Sequence, residues 1–432
     1  MTKKRILILG GGLAGLSAAW HLQKKGEDCV VFEKESQIGG MSRTKAINGF
    51  TLDCCGHLLH FKHRYVFSLI NRLLGNNLSK HKRRAWVYSC GRYIRYPFQA
   101  NLYSLPSLVV KECLLGAIQA FKNNRCQKLD GYNFLQWIHL TFGKGIARHF
   151  MIPYNTKFWT LPPQELTCEW LDGFIPTPSL KQIIEGAVKK NRRQFGYSAE
   201  FWYPRKGGIN QISLALARQI KNINTQSKVV EIDLKRKRIR LSCGNKERFD
   251  YLVSTLPLPE MRFVIKSLPA DVVSLIKKLR WNSVYNLNLG IKKRMYHDKH
   301  WIYFPQKNIC FFRVGFFHNF SSHLVPAGTG SLYAEVSYSS HQKINKTNIT
   351  FRIIEDLKKV GILRATEDID CQDTNDIKYA YPIYDHHYKH ARNGILAHFM
   401  KNNLMACGRF GSWRYLSMEE AILDGRRTSL LF

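Results

Sequence analysis

The sequence is short of negative charge. It holds 31 Asp and Glu against 66 Lys and Arg, a formal net charge of +35 at pH 7. That balance suits nucleic acid, an anionic membrane surface or an anionic substrate. The basic runs at 80–84, 189–193, 235–240 and 292–294 are spread along the chain, and no nucleic-acid-binding module accompanies them. Nucleic acid is set aside; weak association with an anionic membrane face stays open. The 11 cysteines lack C-x-x-C spacing, and Cys54 and Cys55 are adjacent. Neither a zinc framework nor a disulfide scaffold is indicated, and a reducing, cytoplasmic setting is the simplest reading. No stretch reaches the ~18 apolar residues of a spanning helix. The most apolar candidate, 105–121, contains Lys111 and Glu112 and reads as an amphipathic helix. The basic start and apolar run at 3–9 could pass for a secretory signal, but glycines break the run after four residues. No targeting segment is expected. A metal-ligand cluster, a Ser-His-Asp arrangement and any other protein nucleophile motif are also missing.

What is present is concentrated near the start. Residues 5–40 read as strand, glycine turn, helix, strand. Ile6 to Leu9 is apolar; Gly10, Gly12 and Gly15 give G-x-G-x-x-G; 16–25 has helical periodicity; Cys29 to Phe32 is a second strand, closed by Glu33. Gly10 allows the tight turn, Gly12 admits a pyrophosphate, and Gly15 lets the helix approach the strand. The helix N-terminus favours phosphate, and Glu33 can accept from ribose hydroxyls. Gly39 and Gly40, followed by Arg43, add a second phosphate approach. They favour FAD over NAD, against the bland alternative of a glycine turn after a strand.

Further along, Asn48-Gly49 is a hairpin-type turn. His57, beside Gly56 after a strand, either faces a flavin ring or caps a loop. Residues 65–74 read as a helix and 85–98 as a hairpin turning at Cys90-Gly91. Residues 105–121 and 132–142 are expected helices, with a turn starting at Gly143. Residues 151–159 read as a loop whose Tyr154, Asn155, Lys157 and Trp159 either serve a nucleotide or pack on helices. Helix 209–220, strands 228–232 and 239–241, and buried strand 251–257 return to the core. Strands at 286–291, 301–305, 310–316 and 331–338 form a mostly antiparallel sheet. A helix at 350–360, a strand exit at 377–382, a buried strand 404–409 ending in Gly-Arg, and a helix at 417–427 complete the chain. The expected fold class is α/β: an FAD-binding Rossmann-like domain with an inserted helical domain and an antiparallel β-sheet substrate domain. The FAD-binding parts are 1–100 (with a substrate-side hairpin near 85–98), 196–265 and 396–432. The helical insert is 101–195, and the substrate sheet is 266–395.

Several stretches carry a more specific likeness: GHLLHF (56–61), YPFQANL (96–102), YNTKFWTLPPQELTCEWL (154–171), YPRKGG (203–208), WIYFPQKNICFFR (301–313), YAYP (379–382) and GRFGSWRY (408–415). Through them the chain resembles the UDP-galactopyranose mutases, most closely their eukaryotic branch, within the amine-oxidase-like flavoproteins. The resemblance runs nearly end to end. It implies that Gly10, Gly12, Gly15 and Glu33 hold the FAD adenosine and pyrophosphate, with Gly39, Gly40 and Arg43 on the same surface. Gly56 and His57 lie beside the isoalloxazine, Val230 borders the adenine, and Gly408, Arg409 and Met418 close over the cofactor. Tyr96 and Gln99 read the uracil, with Asn155 and Trp159 also at the nucleotide. Tyr303, Arg313, Tyr381 and Tyr415 clamp the diphosphate. Arg313, His57, Tyr381 and Tyr415 are the implied catalytic set, and no metal takes part. The implied reaction is pyranose–furanose interconversion of a UDP-sugar for cell-surface glycan synthesis, by attack of reduced flavin N5 on the anomeric carbon. It has no net redox change but needs NAD(P)H or another reductant for activation.

One departure stands out. The family carries a second arginine on a mobile loop before the glycine-pair segment. Here that segment reads Glu200-Phe201-Trp202-Tyr203-Pro204, and Trp202 stands where the arginine is expected, as a substrate platform. That departure makes a related nucleotide sugar the rival of UDP-galactose as substrate. The alternative is an FAD-dependent oxidoreductase of the amine oxidase or protoporphyrinogen oxidase type, with an apolar cavity that has little use for Arg313 or Gln99. A non-catalytic flavoprotein scaffold is a third reading. A homo-oligomer stays open.

Overall fold

The strand Ile6–Leu9 is wholly buried and sits in the middle of a parallel sheet. It pairs with Cys29–Phe32 on one side and Tyr251–Ser254 on the other. Leu404–Ala406 and Ile223–Asn224 form the edges, both parallel. Strands buried on both faces read as unbroken apolar runs, which is what the sequence has here. The computed structural model describes residues 4–123, 131–171, 173–190, 195–196, 199–295 and 297–432. Part of the basic run at 189–193 (191–193) and part of the aromatic-rich stretch at 194–208 (194, 197 and 198) lie outside the described residues.

The helix Leu13–Lys24 follows the glycine turn and is covered by the C-terminal helix Met418–Ser429. A Cβ on Gly425 would fall 2.3 Å from the Ala14 carbonyl oxygen, so only glycine permits this approach. Ser417 caps the last helix in a capping box with Glu420.

A seven-stranded mixed sheet forms the other half. Its order is Ile369–Pro382, Trp281–Ile291, Gly330–Tyr338, Arg313–Gly315, Trp301–Tyr303, Ala85–Ser89, Arg92–Arg95. All neighbours are antiparallel except Trp301–Tyr303 with Ala85–Ser89. The expected hairpin thus joins the substrate sheet, turning through Cys90 and Gly91 at positive φ. A three-stranded antiparallel sheet, Val229–Asp233 with Arg238–Leu241 and Lys246–Arg248, carries Val230 at a register shift.

Three expectations need correction. Residues 152–159 are a helix, Ile152–Trp159, not a loop. Pro153 sits where the π-helical turn Ala147–Met151 passes into this helix, and Phe150, Tyr154 and Phe158 stack along one face. The break expected at Gly143 is present: φ 75° and ψ 172° there separate two helical segments within Phe134–Ile146. Residues 200–204 are a strand, Glu200–Pro204, paired with Leu78–Lys82. The strand expected over 310–316 is limited to Arg313–Gly315. The helix Tyr388–Lys401 carried no expectation.

The insert is built on the pair Ser107–Asn123 and Phe134–Ile146. They cross at backbone contact: a Cβ on Gly145 would lie 2.1 Å from the Glu112 carbonyl oxygen. Gly145→Ala should therefore cost about 1–3 kcal/mol through forced separation of the helices. A urea-unfolding midpoint equal to that of the parent chain would contradict the close crossing.

Candidate active site

The glycine turn is built from two segments that face each other. Gly39 N–H donates to the Gly11 carbonyl at 2.8 Å, and Gly12 and Gly39 form a parallel bridge. A Cβ on Gly12 would meet only the Gly40 Cα at 3.9 Å, so no side chain fills the space above it. The helix Leu13–Lys24 has no side-chain N-cap, which leaves its first N–H groups for an anion. Gly15 has the opposite constraint, with the Gly10 oxygen 2.0 Å from its notional Cβ. Glu33 is buried and accepts from Gly11 N–H (2.7 Å) and Glu35 N–H (2.9 Å). Arg43 pairs with Glu35 at 3.6 Å. Gly408 N–H donates to Asp424 at 2.7 Å, and a Cβ on Gly408 would press on Ala14. Met418 meets Ser42. The uncapped helix end, the bare glycine surface and the buried acid fit the pyrophosphate and ribose of a dinucleotide.

The second half of the site lies on the mixed sheet. Arg313 stands opposite Glu335 in register, and its Nε donates to Glu335 Oε2 at 2.6 Å. Glu335 is 2% exposed. Burial works against the guanidinium charge, but Glu335 beside it holds the Arg313 pKa well above its usual value. Tyr303 faces Arg313 across the ladder, and its ring meets Tyr96 at 5.1 Å and Tyr154 at 5.3 Å. Arg409 is fixed by the Leu416 and Ala380 carbonyls at 2.9 and 2.8 Å. Its guanidinium lies over the Tyr381 and Tyr415 rings at 4.7 and 4.8 Å. Burial raises the pKa of Tyr96, Tyr381 and Tyr415, so these hydroxyls stay neutral donors. Burial, then the charges of Arg409 and Arg313, pull His57 down to about 4.

The segment carrying His57 is tied at several points. Leu59 exchanges backbone hydrogen bonds with Trp202, and the Lys62 and His63 N–H groups donate to buried Glu419. Gly56 N–H reaches Glu335 at 3.3 Å, and a Cβ there would lie 2.2 Å from the Tyr333 hydroxyl. Trp202 packs against Phe61 and Phe67 with Lys80 over its ring. Gln99 donates to the Pro176 carbonyl at 2.6 Å while its buried Oε1 has no hydrogen-bond partner. Asn155 donates to Met151 O at 2.7 Å. Trp159 is fully buried against Tyr381 and Tyr415.

Sequence reasoning missed Glu335. Its signal was a lone acid in the apolar strand Gly330–Tyr338, in register with the arginine. It also left the role of Lys157 open. That side chain is buried and donates to the carbonyls of Phe304, Ile309 and Phe311 at 2.8, 2.7 and 3.0 Å. It pins the connection between the strands of Tyr303 and Arg313. Burial pulls its pKa down to about 7. Among the described residues no cluster of His, Cys, Asp and Glu could hold a metal, and no helix is long and apolar enough to cross a membrane.

A family profile of flavin-containing amine oxidoreductases matches residues 13–429. The chain belongs to that family. It is similar to a crystal structure of reduced UDP-galactopyranose mutase at a TM-score of 0.92 and 27% identity, over 99% of this chain and 93% of that one. A putative protoporphyrinogen oxidase from Exiguobacterium sp. 255-15 shares the fold, with a TM-score of 0.76 and 14% identity over 100% and 99% of the two chains. A probable flavin-containing monoamine oxidase A from Dictyostelium discoideum is 22% identical over 58% of this chain and 57% of its own. The chain spans between about half and two thirds of the length of the curated relatives it first matches. The α/β fold with its flavin-binding half and its sheet half is thus that of the amine oxidoreductases.

Four buried histidines give the fold a pH signature. Burial first, with nearby charges, lowers His57, His60 and His297 to about 4 and His300 to about 3, from an ordinary 6.5. The unfolded chain then binds more protons between pH 4 and 6.5. The stability these groups contribute is present above 6.5 and is lost as pH falls toward 4. Asp53, raised to about 6 by burial, works the other way as one group against four. The urea midpoint should fall steadily from pH 7 to 4.5; a flat or rising midpoint would contradict buried neutral imidazoles.

Proposed function

We propose that the protein is an FAD-dependent mutase that interconverts the pyranose and furanose forms of a UDP-sugar, UDP-galactose or a close relative. The observation that carries this reading is the charged Arg313, kept on a buried strand by Glu335 and bordered by Tyr96, Tyr303, Tyr381 and Tyr415. The 27% identity to the mutase over nearly the whole chain supports it. An amine oxidation is the second reading, favoured by the name of the Dictyostelium relative. An apolar amine has little use for a buried guanidinium among hydroxyl donors.

Bound FAD in its reduced form, charged by NAD(P)H or another reductant, supplies the nucleophile for the anomeric carbon, with no net redox change. Gly10, Gly12, Gly15 and the helix end hold its pyrophosphate; Glu33 takes the ribose. Gly39, Gly40, Arg43, Val230, Gly408 and Met418 complete that surface. In this reading the FAD parts are 1–100 (apart from the substrate-side hairpin near 85–98), 196–265 and 396–432, while that hairpin, 101–195 and 266–395 serve the sugar nucleotide.

The residues do distinct work on the substrate. Arg313 spends Nε on Glu335 and offers its terminal nitrogens to the departing diphosphate. The hydroxyls of Tyr303, Tyr381 and Tyr415 donate to the same oxygens without adding a second desolvated charge. Arg409, between Tyr381 and Tyr415, fixes both rings. His57, with Cys55 Sγ 3.4 Å from its Nδ1, stays neutral beside Arg409 and Arg313 and adds no third cation to the site. Gln99 Oε1, buried and unpartnered, suits the uracil imide N–H, with Tyr96 and Asn155 beside it. Trp159 backs the tyrosines from inside. Trp202 replaces a charge with an aromatic face at the sugar end.

Arg313→Ala should lower conversion of UDP-galactofuranose by at least a thousandfold, with the flavin absorbance retained; near-parental turnover would remove the clamp. Gln99→Ala should raise KM about tenfold with kcat little changed, because removing the acceptor leaves a buried donor unpaired. Unchanged KM would take Gln99 out of the uracil site.

A further inference from the structure

A cavity of about 530 Å3 lies between the helix Ala270–Lys277, the start of the strand Trp281–Ile291 and residues 338–346. Its volume is within the range of small-molecule sites. The cations Arg262, Lys277, Arg280, Lys343 and Lys346 line it, and no Asp or Glu does. Two of the five are already paired: Arg280 with Glu165 (3.1 Å) and Asp385 (3.6 Å), and Lys346 with Asp376 (2.5 Å). Arg262, Lys277 and Lys343 have no ion-pair partner among the described residues, and the buried Nε of Arg262 has no hydrogen-bond partner. Glu260, whose carboxylate feels the Arg262 charge, is taken by Lys378 and the Tyr379 hydroxyl.

The cavity is separate from the tyrosine site. Trp281 and Ser283 line it. Asn282 between them points to the other side of the strand, donating to Phe158 O at 2.6 Å, and Asn282 pairs with Tyr381 in register. Alternation along a strand puts the two sites back to back.

We propose that this cavity is a second anion site, for a ligand carrying a diphosphate group. Three cations without an ion pair among the described residues, Arg262 also lying over the Phe263 ring at 4.4 Å, match the two to three negative charges of a diphosphate. The Arg262 guanidinium offers planar donors for its oxygens, and Lys277 and Lys343 act as point charges at the mouth. The hydroxyls of Ser339 and Ser340 add neutral donors on the same wall. The group can come from a free nucleoside diphosphate or from a lipid-linked glycan. The site does not rest on the mutase reading.

The test is equilibrium dialysis of the flavin-loaded protein with labelled inorganic pyrophosphate at 150 mM NaCl, on an Arg313→Ala background that disables the first clamp. Binding should persist there and should weaken at least tenfold on adding Lys277→Glu and Lys343→Glu, two surface changes that leave flavin absorbance and the urea midpoint unaltered. Co-sedimentation with phosphatidylcholine vesicles containing a prenyl diphosphate lipid would assign the lipid-linked source. Binding of soluble pyrophosphate alone would assign the free nucleotide. Either result supports the site. No pyrophosphate binding in Arg313→Ala, or binding that the two glutamates leave within tenfold, would overturn it.

Discussion

The pair of Arg313 with Glu335 is the interaction around which the sheet half of the molecule is arranged. A guanidinium on a buried strand is costly unless a charge and hydrogen bonds meet it. Glu335 does so from the next strand, in register, at 2.6 Å. The same carboxylate accepts from Gly56, linking the charge to the His57 segment. The Lys157 ammonium holds three carbonyls of the connection between Tyr303 and Arg313, so the clamp strand and its neighbour cannot slide apart cheaply. Removing either support would loosen several site groups at once, because they share strands rather than merely proximity.

The parallel half imposes a different constraint. There the chain is shaped by what must be absent. Gly12 and Gly40 keep a surface bare, Gly15 and Gly425 let helices touch backbone, and Gly408 packs on Ala14. The two halves meet where Arg409, from the end of the parallel sheet, stacks on Tyr381 and Tyr415. A cofactor held on the glycine surface and a diphosphate held by Arg313 would therefore share one rigid frame.

Much of this was legible in the chain. The strand–turn–helix with its glycines, the hairpin at Cys90-Gly91 and the last helix from Ser417 are local signals, set by backbone geometry within a few residues. What was not legible depended on distant partners. Glu335 looks unremarkable until its strand lies beside Arg313, 22 residues away. The helix Ile152–Trp159 was hidden by a proline that reads as a breaker, placed where a π-helical turn, Ala147–Met151, passes into the helix. Trp202 is in a strand because Leu78–Lys82 pairs with it, a contact that no local pattern announces. The uncovered Oε1 of Gln99 is likewise a property of packing, not of spacing.

The central claim is that reduced flavin chemistry acts on a nucleotide sugar without net redox change. The most direct measurement is anaerobic chromatography of UDP-galactofuranose after incubation with dithionite-reduced protein, beside the oxidised protein as control. The account predicts conversion to UDP-galactopyranose by the reduced protein alone. Equal conversion by both forms, or none by the reduced form with FAD bound and UDP failing to compete for the site, would contradict it.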